Sequence, residues 1–141
     1  MNDTIGNTMR YILSLDRYFA AGDTSSATLA ILIDLGFSVH CDGFSHLRLA
    51  ISRKHACPHL RCQDIYAEVA QKYGCAASAV QIEQAVRSAI SSAWSAGPQE
   101  QWDLLFPPGK DGRRKKPANF EFIARIACIL ELWTGCRKIP E

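Results

Sequence analysis

Residues 62–96, CQDIYAEVAQKYGCAASAVQIEQAVRSAISSAWSA, decide the fold. Ile65, Tyr66, Val69 and Ala70 recur at spacings of one, three and one, an apolar stripe that predicts a helix over Cys62 to Tyr73. Gly74 closes it. Ser78-Ala79-Val80-Gln81 then fits a capping box, in which the serine side chain satisfies one free amide and the glutamine three residues on satisfies another. The helix opened there is expected to run to Ala96, where Gly97-Pro98 stops it. Ile82, Val86, Ala89, Ile90 and Ala93 fall on one face, and Gln81, Gln84, Arg87, Ser88 and Ser91 on the other. A helix ending in glycine, a short turn and a second helix with a polar outer face form the pattern of a helix-turn-helix, whose second helix enters the DNA major groove.

The helical period continues in both directions. Upstream, helices are expected over Ser26 to Leu35, stopped by Gly36, and over Phe44 to Arg53, stopped by His55-Ala56-Cys57-Pro58. A further helix over Asn7 to Ala20 carries Met9, Ile12, Leu13 and Phe19 on one side and stops near Ala21-Gly22. It reads equally as an ordered extension and as a docking or dimerising element. Downstream come a short helix over Gln99 to Leu105 and a loop from Phe106 to Lys116 rich in proline, glycine and basic residues. A last helix is expected to start at Pro117 and end at Gly135. Trp94, Trp102 and Trp133 occupy helical apolar positions and read as core or interface residues. No stretch alternates with a strand period, so the expected fold is an all-α bundle of six or seven helices. Its expected parts are an extension (1–25), a helix-turn-helix domain (26–134) and a tail (135–141).

With 141 residues, 48% hydrophobic and 21% charged, the chain can bury one core, and its composition excludes a disordered chain. No run approaches the roughly 18 to 20 apolar residues of a membrane span, and no secretory leader pattern is present, so a cytoplasmic address and no membrane partner are expected. The net charge of +2 says little, but its distribution says more. Residues 1–73 hold seven Lys/Arg against seven Asp/Glu, and residues 74–141 hold nine against seven. Five of those nine lie between Lys110 and Lys116. Such a run neutralises phosphates when it faces DNA, and is otherwise a solvated loop.

Six cysteines, at 41, 57, 62, 75, 128 and 136, are read as reduced, several of them as small apolar fillers. His40, His46, His55 and His59 cluster with Cys41, Cys57 and Cys62, but without a Cys-x2-Cys pair, and His55-x-Cys57-x-His59 would crowd one metal. No metal, cofactor or small-molecule substrate is therefore expected. Nothing in the sequence marks an activated thiol or an oxyanion site near Cys57 or Cys62, so no catalytic residue is assigned and no enzyme is expected.

Several segments carry a more specific signal. Tyr66 to Tyr73, Ala85 to Ile90 leading into Ala93-Trp94-Ser95-Ala96-Gly97, and Lys116-Pro117-Ala118-Asn119-Phe120-Glu121-Phe122-Ile123-Ala124 resemble the C-terminal effector domain of the sporulation initiation master regulator, the stage 0 sporulation protein A family. Ile33-Asp34-Leu35-Gly36, Gly43-Phe44, Leu47-Arg48 and Ala50-Ile51 match its first two helices. The resemblance spans roughly residues 26 to 134 and implies a double-stranded DNA partner and a transcriptional role in sporulation, in a fold of the winged-helix-like, response-regulator effector superfamily. It also implies pairing of copies, as homodimer or heterodimer, through the last helix, Pro117 to Thr134. Residues 1–25 are too few for the receiver domain that precedes the effector domain in that family, so phosphorelay control within these residues is not expected.

Between Tyr66 and Trp94 this chain has two residues more than the family pattern. Aligned from the C-terminal part of the long helix, Gln81, Glu83 and Gln84 stand where the family has arginine, glutamate and arginine. Aligned from Gly74, Ala79 and Gln81 replace the first arginine and the glutamate. The first register keeps Ile82 in phase with Val86, Ala89 and Ile90. In either register the base-reading arginines are gone, and glutamine favours adenine where arginine favours guanine. The expected base contacts are Gln81, Glu83 and Gln84, and the expected phosphate contacts are Arg87, Ser88, Arg113, Arg114, Lys115 and Lys116. The competing reading is a protein-interaction module of the same fold that has lost strong DNA reading and modulates a full-length regulator by heterodimerisation.

Overall fold

The computed structural model describes residues 4–14, 23–72 and 78–138. Among them are seven helices and no strand: α1 (Thr4–Ser14), α2 (Thr24–Asp34), α3 (Asp42–Ala56), α4 (Cys62–Lys72), α5 (Ala79–Ala96), α6 (Gln99–Leu105) and α7 (Asn119–Lys138). The expected turn at Gly74, with Cys75-Ala76-Ala77, and the stop at Ala21-Gly22 lie outside the described residues.

Local chemistry explains the helix ends. Asp23 caps α2 by accepting from the Ser26 amide at 3.1 Å and from the Ser26 hydroxyl at 2.6 Å, which starts this helix two residues earlier than its apolar pattern alone suggests. At the other end Gly36 adopts φ +92°, and the amides of Gly36 and Phe37 reach the carbonyls of Ile33 and Leu32 at 2.9 and 3.0 Å. That pair of bonds is a Schellman motif, and it turns Phe37 into the core. The capping box of α5 forms as expected, with Ser78 N–H donating to Gln81 Oε1 at 2.8 Å and Gln81 N–H donating to Ser78 Oγ at 3.2 Å. Both ends of the last expected helix shift as well. Residue 117 precedes α7, and Gly135 lies inside it, because one glycine costs a helix interior only about 1 kcal/mol and does not force a stop.

α3 is the hub, packing against α2, α4, α5 and α7. Below it Trp102 anchors an aromatic cluster with Phe37, Trp94, Phe106 and Phe122, at centroid separations of 5.3 to 6.0 Å. Its indole N–H donates to the carbonyls of Leu35 at 2.9 Å and Ala93 at 3.2 Å, so one buried side chain joins the ends of α2 and α5. Trp133 is likewise fully buried, whereas Trp94 is half-buried. α1 packs against α6 and α7, with Ile12 fully buried and the Tyr11 hydroxyl donating to Asp34 at 2.7 Å.

Candidate nucleic-acid interface

The buried edge of α5 is the one its period requires. Ile82 and Val86 are fully buried and Val80 is 63% exposed, so the helix is in the phase of the first of the two registers. Opposite them, Gln81, Gln84, Arg87, Ser88, Ser92 and Ser95 are exposed. α4 packs against α5.

The side chains expected to read bases are not equivalent. Gln81 is engaged in the capping box through its carbonyl oxygen. Glu83 pairs with Arg87, Oε1 to Nη2 at 2.6 Å, one turn along the helix. Gln84 has no hydrogen bond to another described residue.

The basic loop is held beside this helix by contacts that no local spacing reveals. Lys116 Nζ donates to Ser91 Oγ at 2.8 Å, and Asn119 Nδ2 donates to the Glu83 carbonyl at 3.0 Å, pinning the start of α7 against α5. The loop has internal order: Gly109 N–H donates to Arg113 O at 3.1 Å, Gly112 turns with φ +75°, and Arg113 N–H donates to Asp111 Oδ1 at 3.0 Å. The Arg113 guanidinium is 87% exposed, and Lys115 and Lys116 are exposed too. Arg114 points elsewhere. Its Nε donates to Asp103 Oδ1 at 2.7 Å, and its guanidinium lies 4.4 Å from the centre of the Trp94 ring, half-buried over the joint between α5 and α6.

Arg87, Lys115 and Lys116 share the wall of a groove of about 580 Å³ with Tyr66, Asn119 and Phe120. The Tyr66 hydroxyl is buried there beside the Asn119 side chain. Burial pushes its pKa up to about 12, so the phenol stays protonated and is available as a donor at neutral pH.

The histidine and cysteine cluster disperses. His55 Nε2 lies 3.0 Å from Glu131 Oε2, joining α3 to α7. Cys41, Cys57 and Cys62 are half-buried free thiols, and burial raises the Cys62 pKa. Among the described residues no three His, Cys, Asp or Glu side chains converge as a metal site. No described helix is long and apolar enough to cross a membrane.

Asn119 as an anchor and Arg114 as a packing residue were missed by sequence reasoning, whereas the exposure of Val80 agrees with its place out of phase with Val86, Ala89 and Ile90. No local signal could have found Asn119, because its partner, the Glu83 carbonyl, lies 36 residues away along the chain. Residues 28–130 match the family described as "Sporulation initiation factor Spo0A C terminal". The match runs from within α2 to within α7 and leaves α1 outside it.

Proposed function

The chain belongs to the Spo0A C-terminal family, and on that premise we propose that it is a sequence-reading DNA-binding regulator of transcription whose α5 lies in the major groove. The observation that carries this reading is the bond from Lys116 to Ser91, which keeps a run of cations against the exposed face of α5. A helix flanked by cations can sit in a groove while they neutralise the phosphates on its rim. Ser88, Arg113, Lys115 and Lys116 take phosphates in this reading, as does Arg87 on leaving Glu83, and Gln84 takes a base. Gln81 and Glu83 reach bases only by giving up their present partners. Arg114 contacts phosphate only by leaving Trp94 and Asp103.

The same internal pairing favours a second reading, an interaction module acting on a full-length regulator. In that reading the exposed side chains of α7, Leu132 and Cys128 among them, meet the partner.

Binding to mixed-sequence duplexes over a series of salt concentrations separates the two. For DNA binding, log K falls linearly with log salt, with a slope of about −0.9 for each phosphate neutralised. Four cations on phosphates give a slope of roughly −3.6. Absence of binding at low salt overturns the DNA reading and leaves the interaction module.

A further inference from the structure

Two exposed side chains on α5 take no part in holding the fold, and they stand one above the other. Val80 is 63% exposed, while the other aliphatic residues of the helix, Ile82, Val86 and Ile90, are at most 1% exposed. Gln84, four residues on, is exposed and has no hydrogen bond to another described residue. The spacing of four puts both on one face. The polar residues between and beside them are committed, Gln81 to the cap and Glu83 to Arg87. A lone exposed valine elsewhere would need no explanation. This one sits in the first turn of the helix assigned to the groove, one turn from the Gln84 amide, which has no hydrogen bond to another described residue.

We infer, resting on the DNA-binding reading above, that Val80 and Gln84 determine specificity and select a box of A·T pairs. The major-groove edge of adenine offers an N6–H donor and an N7 acceptor, which the carbonyl and amino groups of Gln84 match together. Thymine alone offers a C5-methyl group, the natural contact of an isopropyl side chain. Guanine shows two acceptors on that edge, O6 and N7, and needs the twin donors of an arginine or lysine that this stretch lacks. Arg87, the nearest cation on the helix, is held by Glu83. One helical turn rises about 5.4 Å. Base pairs stack about 3.4 Å apart. The adenine and the thymine therefore belong to pairs one or two steps apart.

The test selects bound duplexes from a randomised pool with the full chain and with Val80→Ala and Gln84→Ala. The selected box is then remade with deoxyuridine for the contacted thymine, which removes the methyl group, and with 7-deazaadenine for the adenine, which removes N7. The full chain is expected to enrich an A·T box. Its binding to that box should fall roughly fourfold on loss of the methyl group. Loss of N7 should cost on the order of tenfold. The uridine effect should shrink in Val80→Ala, which keeps only one methyl group of the contact, and the deaza effect should vanish in Gln84→Ala. The base changes leave the protein untouched, so a folding defect cannot imitate this result. A G·C box, binding without preference, or effects of undiminished size in the matching variants overturn the inference and leave the DNA-binding reading standing. No binding to the whole pool at low salt overturns both.

Discussion

Lys116 donates from Nζ to the Ser91 hydroxyl at 2.8 Å, across 25 residues of sequence, and this bond sets the distance between the basic loop and α5. Both side chains belong to the outer surface, so the bond is worth only about 0.5 to 1.5 kcal/mol to the fold. Its consequence is positional. Replacing Lys116, Lys115 or Arg113 by glutamine is expected to weaken binding equally on all sequences and to flatten the salt slope by about 0.9 each. Ser91→Ala keeps the charge and frees the loop, so it should weaken binding with the slope unchanged. Anisotropy titrations at several salt concentrations read both quantities. A slope that ignores all three glutamine variants removes the loop from the interface.

Arg114 behaves differently because its partners are inside the protein. Its side chain and that of Asp103 are 28% and 30% exposed, and the guanidinium lies over Trp94. Arg114→Ala is expected to cost about 1 to 2 kcal/mol of stability through the lost ion pair and ring contact. The salt slope of DNA binding should not move. Arg114→Lys should rescue little, since an ammonium lacks the flat face that stacks on the indole. Urea denaturation measures the first effect, and a changed slope in Arg114→Ala would show that this arginine leaves Trp94 to meet a phosphate.

What the sequence conveys best is what lies close along the chain. The Ser78 to Gln81 cap, the glycine stop at Gly36 and the phase of Ile82, Val86 and Ile90 all follow from spacings of three or four, and the structure has each of them. Helix ends were less legible where two signals competed. α3 starts at Asp42, ahead of its first large apolar residue, and runs through Ala56, because helix formers continue until Cys57 and Pro58 forbid it. The interface was legible only as a set of residue types. Whether Arg114 and Lys116 point the same way depends on Asp103 and Ser91, and no periodicity reports a contact across 11 or 25 residues.

Gly43 marks the closest approach of α3 to α5. A Cβ there would strike the Ala85 carbonyl oxygen and come within 2.8 Å of its carbon and 2.9 Å of the Ala89 Cβ. Backbone cannot swing aside as a side chain can, so α5 itself must shift. Alanine brings a helix-propensity gain of about 1 kcal/mol over glycine. Overpacking costs about 1 to 3 kcal/mol in typical cores, and contact with backbone belongs at the upper end. Gly43→Ala should therefore lower the thermal midpoint by several degrees and weaken DNA binding together, since the displaced element is the helix proposed to read the bases. Loss of stability with unchanged affinity would mean that α5 keeps its place and the strain is absorbed in α3.

Two carboxylates tie stability to acid pH. The Ser26 hydroxyl and amide hold the Asp23 carboxyl below its ordinary pKa, and Arg53 does the same for Glu68. A depressed carboxyl stabilises the fold at pH values above its unfolded pKa, about 4 for both types. That contribution disappears as pH falls through the lower, folded value. The thermal midpoint is thus expected to hold from pH 7 to about 5 and to drop as pH falls below about 4. Asp23→Asn keeps a capping side chain but removes its titration, and Glu68→Gln removes the pair with Arg53. Each variant should start lower at neutral pH and lose less on acidification. High salt should shrink the Glu68 effect, which acts between exposed charges, more than the Asp23 effect, which acts through hydrogen bonds within one turn. Midpoints in both variants that fall as steeply as in the parent chain would assign the acid loss to other carboxylates.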